Sequence, residues 1–260
     1  MASRFSFYDF LAYIIPGAIL LLAVIYWAES VLEFDLVTVG SISGVGQTTL
    51  FLIVAYLVGH LMQAFGQRLE VRETERWGGY FSVQFLRPDG TFYTDDFKGK
   101  LLDAVHDTFH LAPLADPPDD EARDRRLQEI FGMCYTYVIQ RGIAQHAEIH
   151  NATYGFFRGS LVLWLSVITL FFIAELRHAS VAVASALDYS QTPIDDVKWH
   201  LVIAGVAVVL AAFTLPFLRD RFAHFGRRFV DAVYRSFYAF VSSGGMVTSH
   251  NAIYPTNDRG

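Results

Sequence analysis

FLAYIIPGAILLLAVIYWA, residues 10–28, runs for 19 residues without an Asp, Glu, Lys or Arg. Wound as an α-helix it extends roughly 28 Å, close to the hydrocarbon thickness of a bilayer. WHLVIAGVAVVLAAFTLPFL, residues 199–218, matches it with 20 uncharged residues. Between them the chain is uncharged from Leu36 to Gln67, but Gly40, Ser41, Ser43, Gly44, Gly46, Gln47 and Thr48 carry loop chemistry. The second apolar span is therefore expected over about 49–65. The third, over about 157–175, has an uncharged core of 16 residues, Gly159 to Ala174, and reaches across only if Arg158 and Glu175 extend toward headgroups. The pattern predicts an all-α membrane protein of four transmembrane helices.

Basic residues then set the orientation. Of the 20 Lys and Arg, 18 fall at the two termini or in the central segment between the second and third spans, leaving only Arg177 and Lys198 on the other side. The first outer connection carries acids alone, Glu29, Glu33 and Asp35. Because Lys and Arg near span ends stay inside, both termini and the central segment are expected in the cytoplasm. The first span lacks the small-residue cleavage pattern of a signal peptide and reads as retained. Cys134, the single cysteine, has no internal disulfide partner and falls on the reducing side. Arg72, Arg76, Arg219, Arg221, Arg227 and Arg228 stand where anionic lipid heads would lie.

This divides the chain into a first transmembrane pair (1–67), a cytoplasmic helical domain (68–158), a second transmembrane pair (159–218) and a cytoplasmic amphipathic helix and tail (219–260). In the central domain, Arg68 to Trp77 extends the second span until Gly78-Gly79 stops it. The turn Arg87-Pro-Asp-Gly90 between two aromatic runs argues for a short β-hairpin. Asp95 or Asp96 caps a helix to about His110, and a second helix runs from near Asp119 to about Gln140. Ala112 to Asp120, with three prolines and three aspartates, reads as a loop. In the last segment Phe222, Phe225, Phe229, Ala232, Val233, Phe237 and Phe240 gather on one helical face, opposite Asp220, His224, Arg227, Arg228, Asp231 and Arg235. That face packs either on the central domain or, if Pro216 bends the chain, on the inner membrane surface.

Several constellations carry chemistry in principle. His106 and His110 stand at i,i+4 beside Asp103 and Asp107, and His146 and His150 repeat the spacing, which can place metal ligands on one helix face. His106, His110, Asp103 and Asp107 are also what remains exposed once Leu101, Leu102, Val105 and Phe109 are buried, and nothing in the sequence brings the two histidine pairs together, so no metal or other cofactor is assigned. No span has a central charge, so a proton-coupled relay lacks obvious parts; His60 and Gln63, one helical turn apart, are the strongly polar pair at depth. They suit an interhelical hydrogen bond, or a pore lining. Gly155-x-x-x-Gly159 and Ala207-x-x-x-Ala211 permit close helix approach, within one bundle or between subunits, and make self-association an expectation.

Arg141-x-x-x-x-His146 resembles the Arg-His signature of HEPN ribonucleases, in which both residues sit on a helix facing a dimer interface and cleave RNA. Here Gly142 replaces the polar residue that commonly follows the arginine, and the central segment holds 11 basic against 15 acidic residues, which gives no positive field for nucleic acid. The opening Phe7-Tyr-Asp-Phe-Leu-Ala-Tyr-Ile-Ile-Pro-Gly17 resembles the start of small bacterial inner-membrane proteins that share an aromatic-Asp-aromatic cap and a Tyr-x-x-Pro-Gly kink. That resemblance covers about the first 30 residues and implies a bacterial inner-membrane location and a link to stress or anti-phage systems. The preference for Arg over Lys, 17 to 3, fits a chromosome rich in G and C. The expectation is a non-enzymatic protein that couples a cytoplasmic protein partner or small ligand to the membrane bundle. A channel or transporter for small solutes or ions stands second, and a membrane-tethered HEPN-like ribonuclease third.

Overall fold

The computed structural model describes residues 10–32, 44–111, 119–187 and 194–245. Residues 1–9, 33–43, 112–118, 188–193 and 246–260, which include most of the expected Ala112 to Asp120 loop, lie outside the described residues. A π-helical turn, Phe10–Ile14, runs into α1 (Ile15–Leu32). There follow α2 (Gly44–Arg76), the single turn α3 (Phe81–Gln84), α4 (Asp95–Phe109), α5 (Asp120–Gln140), α6 (Gln145–Leu187) and α7 (Ile194–Ser242). No strand occurs among the described residues. The stretches Gly44–Gln84 and Gln145–His178 are long and apolar enough to cross a membrane, and Ala12–Ala28 is apolar but shorter. The chain forms two compact units, Met1–Trp77 with Glu148–Arg227, and Gly78–Ala147 with Arg228–Gly260.

In the first unit α1 and α2 meet backbone to backbone. A Cβ on Gly17 would overlap Ala55 O, and one on Gly59 would overlap Tyr13 O. Only glycine fits at either point. Around this crossing the burial is inverted relative to a water-soluble core, with Gln63 at 4% exposure while Phe213 stands 75% exposed. Leu57, Leu61 and Phe65 on α2 and Val206, Val209 and Phe217 on α7 are also exposed. A continuous apolar surface of this kind needs a covering phase or partner.

One local expectation fails here. Gly44, Gly46, Gln47 and Thr48 belong to α2 instead of a loop, because Thr48 and Thr49 fold their hydroxyls onto the carbonyls of Gly44 and Val45, both at 2.9 Å, and cease to compete for a turn. Pro216 lies inside α7, which runs on past it to Ser242.

The second unit corrects the expected hairpin. The turn is present, with Gly90 N–H donating to Arg87 O at 3.1 Å, but Phe81–Gln84 forms a helical turn and no strands flank it. Phe81, Val83 and Phe85 are buried at alternate positions, as in a strand, but the N–H groups of Val83 to Arg87 donate to carbonyls three or four residues earlier and are spent on helical turns instead of a ladder. Backbone carbonyls that a ladder would use are taken by side chains instead. Tyr234 OH donates to Ser82 O at 2.8 Å, Gln84 Nε2 to Gly79 O at 2.6 Å, and Lys98 Nζ to Gly90 O at 2.6 Å.

The helix caps are local and legible. Thr94, one residue before the expected aspartates, caps α4 by accepting from Phe97 N–H, and Asp95 and Asp96 occupy the first turn, where the helix dipole favours carboxylates. Asp119 accepts from Ala122 N–H at 2.7 Å and starts α5. His110 closes α4 in the left-handed region at φ 53°.

The core of this unit is aromatic. Val233, Tyr234 and Phe237 of α7 are fully buried among Leu101 and Val105 of α4 and Leu127, Ile130, Cys134 and Val138 of α5. Phe237 stacks on Phe109 at 5.7 Å and meets Tyr137 edge-on at 5.4 Å, while Phe229 meets Phe131 and Tyr135 and Phe240 meets Tyr137. Phe222 and Phe225 of the same stripe belong to the first unit, where they stack on Tyr154 at 4.6 Å and Phe157 at 5.3 Å. The stripe therefore serves two cores, and its centre is Tyr234, which lies outside the seven-residue face expected from periodicity. Phe237→Ala is expected to cost about 3–5 kcal/mol through the cavity it leaves, against about 0.5 kcal/mol or less for the exposed Arg228→Ala. Limited proteolysis in detergent should show rapid cleavage of the second unit in the first variant and an unchanged pattern in the second.

Candidate functional site

The densest polar constellation in the first unit is built around Gln63. Pro16 has no N–H, so the carbonyl four residues earlier, Ala12 O, lacks its α-helical donor. Gln63 Nε2 supplies one at 2.7 Å and gives its second hydrogen to Gly155 O at 2.9 Å. One amide thus ties the segment before α1 to α2 and α6. Small residues make room for it: a Cβ on Gly159 would lie 3.0 Å from Gln63 Nε2 and 3.4 Å from Pro16 Cγ.

The amide oxygen of Gln63 accepts from Arg158 Nε at 2.8 Å. Arg158 then donates through a terminal nitrogen to Glu70 Oε2 at 2.7 Å, and Tyr154 OH donates to Glu70 Oε1 at 2.7 Å. The side chains of Arg158 and Glu70 are 12% and 18% exposed. Gly66 lets the arginine stem lie along α2, since a Cβ there would stand 2.7 Å from Arg158 Cγ. The expectation that Arg158 reaches outward to headgroups is corrected, because a largely covered guanidinium with a carboxylate and an amide oxygen in reach is better satisfied inward. A second pair sits one turn further along α2, where buried Glu73 contacts Arg76 at 3.0 Å and Arg219 of α7 at 3.3 Å.

Other singled-out residues fall elsewhere. His60 is exposed, stacked on Tyr13 at 4.2 Å and edge-on to Tyr56 at 4.4 Å, so it does not share the face of Gln63. Gly155 and Gly159 are buried against their own chain, whereas Ala207 and Ala211 are partly exposed on α7. Arg141 ends α5 with its guanidinium over Tyr137 and Phe240, Gly142 turns the chain at φ +69°, and exposed His146 starts in α6. Arg141 and His146 do not share a helix, as the ribonuclease resemblance requires. His150 is half-buried, 6.3 Å from Phe225. His110 lies beyond the end of α4, out of register with His106. Among the described residues no group of three or more His, Cys, Asp or Glu converges.

In the second unit the polar groups brace the aromatic core. Arg87 grips Asp124 with two nitrogens, which raises the guanidinium further above its ordinary value. Tyr93 OH donates to Asp231 at 2.8 Å, and Arg235 Nε donates to the same carboxylate at 2.7 Å. Burial, then that carboxylate, pushes the Tyr93 phenol up, and burial alone dominates the rise at Tyr234. Burial also pushes the Cys134 thiol up to about 12, so it stays protonated at neutral pH and is a packing residue, not a nucleophile. A surface groove of about 560 Å³ lies on this unit, lined by Phe109, Leu111, Arg126, Met133 and Tyr137 among others.

No protein family, curated protein or solved structure matches the chain.

Glu70, Glu73 and Tyr154 escaped sequence analysis, although a signal existed. Gln63, Gly66, Glu70 and Glu73 stand at i, i+3, i+7 and i+10, one face of a helix leaving an uncharged run. Glu70→Leu strands the Arg158 charge and is expected to cost about 3–5 kcal/mol, whereas Glu70→Leu with Arg158→Leu should recover most of that loss. Thermal unfolding in detergent would read both. Cys134 should resist thiol alkylation until the protein unfolds. Its raised folded value means its contribution to stability is complete below about 9.0, the ordinary thiol value, and is lost as pH climbs toward about 12. Replacing it with alanine should flatten that part of the alkaline melting profile.

Proposed function

We propose that this chain is a four-span inner-membrane protein of bacteria, with both termini and the second unit in the cytoplasm, which couples a cytoplasmic partner or small ligand to the membrane bundle. The observation that carries the proposal is α7. Its first half exposes Val202, Val206, Val209, Leu210, Phe213 and Phe217, a surface suited to lipid, and its second half supplies Val233, Tyr234 and Phe237 to the aromatic core of the second unit. A single helix is thus a wall of one unit and the centre of the other. The bias of Lys and Arg toward the central segment and termini supports the orientation.

In this scheme the groove beside Phe109, Met133 and Tyr137 receives the partner or ligand. A shift of α5 against α7 changes the packing around Tyr234, and the change enters the bundle along α7. The Gln63, Glu70 and Arg158 network holds the bundle in one arrangement, and its release opens or perturbs the membrane, as an effector of a stress or defence system would. Differential binding to the two arrangements is what drives such a shift.

The layout is tested with single cysteines, since buried Cys134 is silent. A membrane-impermeant maleimide should label Ser190→Cys in intact cells with a permeable outer membrane, and Ala115→Cys only in inverted vesicles. Labelling of Ala115→Cys from outside would overturn the topology, and release of the protein from membranes by alkaline carbonate would overturn the membrane placement itself.

A further inference from the structure

At the far end of α2 from Gly44, and on α7 just beyond Pro216, guanidinium groups sit beside aromatic rings of the exposed apolar surface. Arg68 lies over Phe65 at 5.9 Å and Arg221 over Phe217 at 5.2 Å, and both rings are more than half exposed. Between these elements Arg76 and Arg219 converge on one carboxylate, Glu73, at 3.0 Å and 3.3 Å. The Glu73 side chain is 9% exposed, while those of Arg76 and Arg219 are 60% and 45% exposed. One buried negative charge therefore orients two half-exposed positive ones, and a net positive charge faces outward. Arg72, also exposed, is one turn back on α2. The acids nearby besides Glu73 are Glu75 and Asp220, while Glu70 is engaged by Arg158.

We infer that Arg76 and Arg219 form a seat for the phosphate of an anionic phospholipid headgroup, an inference that rests on the membrane placement proposed above. Guanidinium matches phosphate in a two-toothed geometry, and a choline or ethanolamine head, which carries the same phosphate, adds a cation that the two arginines repel. The neighbouring rings of Phe65 and Phe217 and the apolar faces of α2 and α7 suit acyl chains, which a free phosphate lacks. Glu73 holds both arginines at one point and leaves each with unused donors, while its own charge offsets part of theirs. Each arginine near an anionic surface strengthens binding by about fivefold.

The test uses the full chain in detergent, titrated separately with phosphatidylglycerol and phosphatidylcholine and read by native mass spectrometry. Wild type should retain phosphatidylglycerol in preference to phosphatidylcholine. The variant E73Q/R76Q/R219Q, which leaves no stranded buried charge, should lose phosphatidylglycerol by roughly tenfold or more. E73Q alone, which frees both arginines, should bind it at least as tightly as wild type, and R123Q/R125Q on α5 should bind unchanged. Equal retention of the two lipids, or wild-type retention by the triple variant, overturns the seat. Displacement of phosphatidylglycerol by inorganic phosphate points to a free-anion site and also overturns it. Carbonate extraction is scored before any titration, so failure of the membrane placement is told apart from failure of the headgroup seat.

Discussion

Pro16 leaves Ala12 O without a helical donor, and much of the first unit follows from how that vacancy is filled. A carbonyl shielded from water must find a donor from another element. Gln63 provides it from α2, spends its other hydrogen on Gly155 O of α6, and offers its oxygen to Arg158. Those bonds form only if the helices approach closely, and Gly17, Gly59 and Gly159 remove the side chains that would keep them apart. The glycines, the proline and the glutamine are a single device. Losing the Gln63 amide, or adding a side chain at Gly17, Gly59 or Gly159, would leave Ala12 O without its donor in an apolar setting.

The arginine and glutamate that extend this device carry a different energetic character. A buried ion pair contributes little net stability compared with apolar packing, yet losing one partner is costly. Such a pair suits a role in holding one arrangement against another better than a role in raising stability. Tyr154 adds a neutral donor to Glu70, so each oxygen of the carboxylate has its own partner. The second unit is built on opposite terms. Its core is a cluster of interlocked rings around Tyr234 and Phe237, with polar edges tied to nearby carbonyls and carboxylates, as the bonds of Tyr234 to Ser82 O and of Tyr93 to Asp231 illustrate. Edge-on ring pairs gain from directional packing beyond the area they bury, which favours one arrangement of α4, α5 and α7 within this unit.

How much of this was legible beforehand differs by element. The long helices cover the apolar stretches at 49–65 and 157–175, and α5 begins at the Asp119 cap and ends before the Gly142 turn. Those features depend on local hydropathy and capping, which act over a few residues. The hairpin at 80–94 was misjudged because its aromatic residues alternate in sequence, while the deciding groups, Tyr234 and Lys98, approach from α7 and α4. Of the pair His60 and Gln63, only Gln63 joins the expected interhelical hydrogen bonds to Ala12 O and Gly155 O, since a spacing of three places two residues near one another without deciding which of them faces the neighbouring helix.

By itself the sequence determined a helical chain with long uncharged stretches, the start and end of α5, and an amphipathic last segment. It also confined nearly all Lys and Arg to the termini and centre. Tertiary structure alone decided that Arg158 turns inward, because its carboxylate partner stands 88 residues away on another helix. It likewise decided that Phe222 and Phe225 join one core while Phe229 and Phe237 join another. Periodicity defines which face of a helix is apolar, but what covers that face depends on elements far off in the chain, and the desolvation of a charge depends on whether its counter-charge arrives there too.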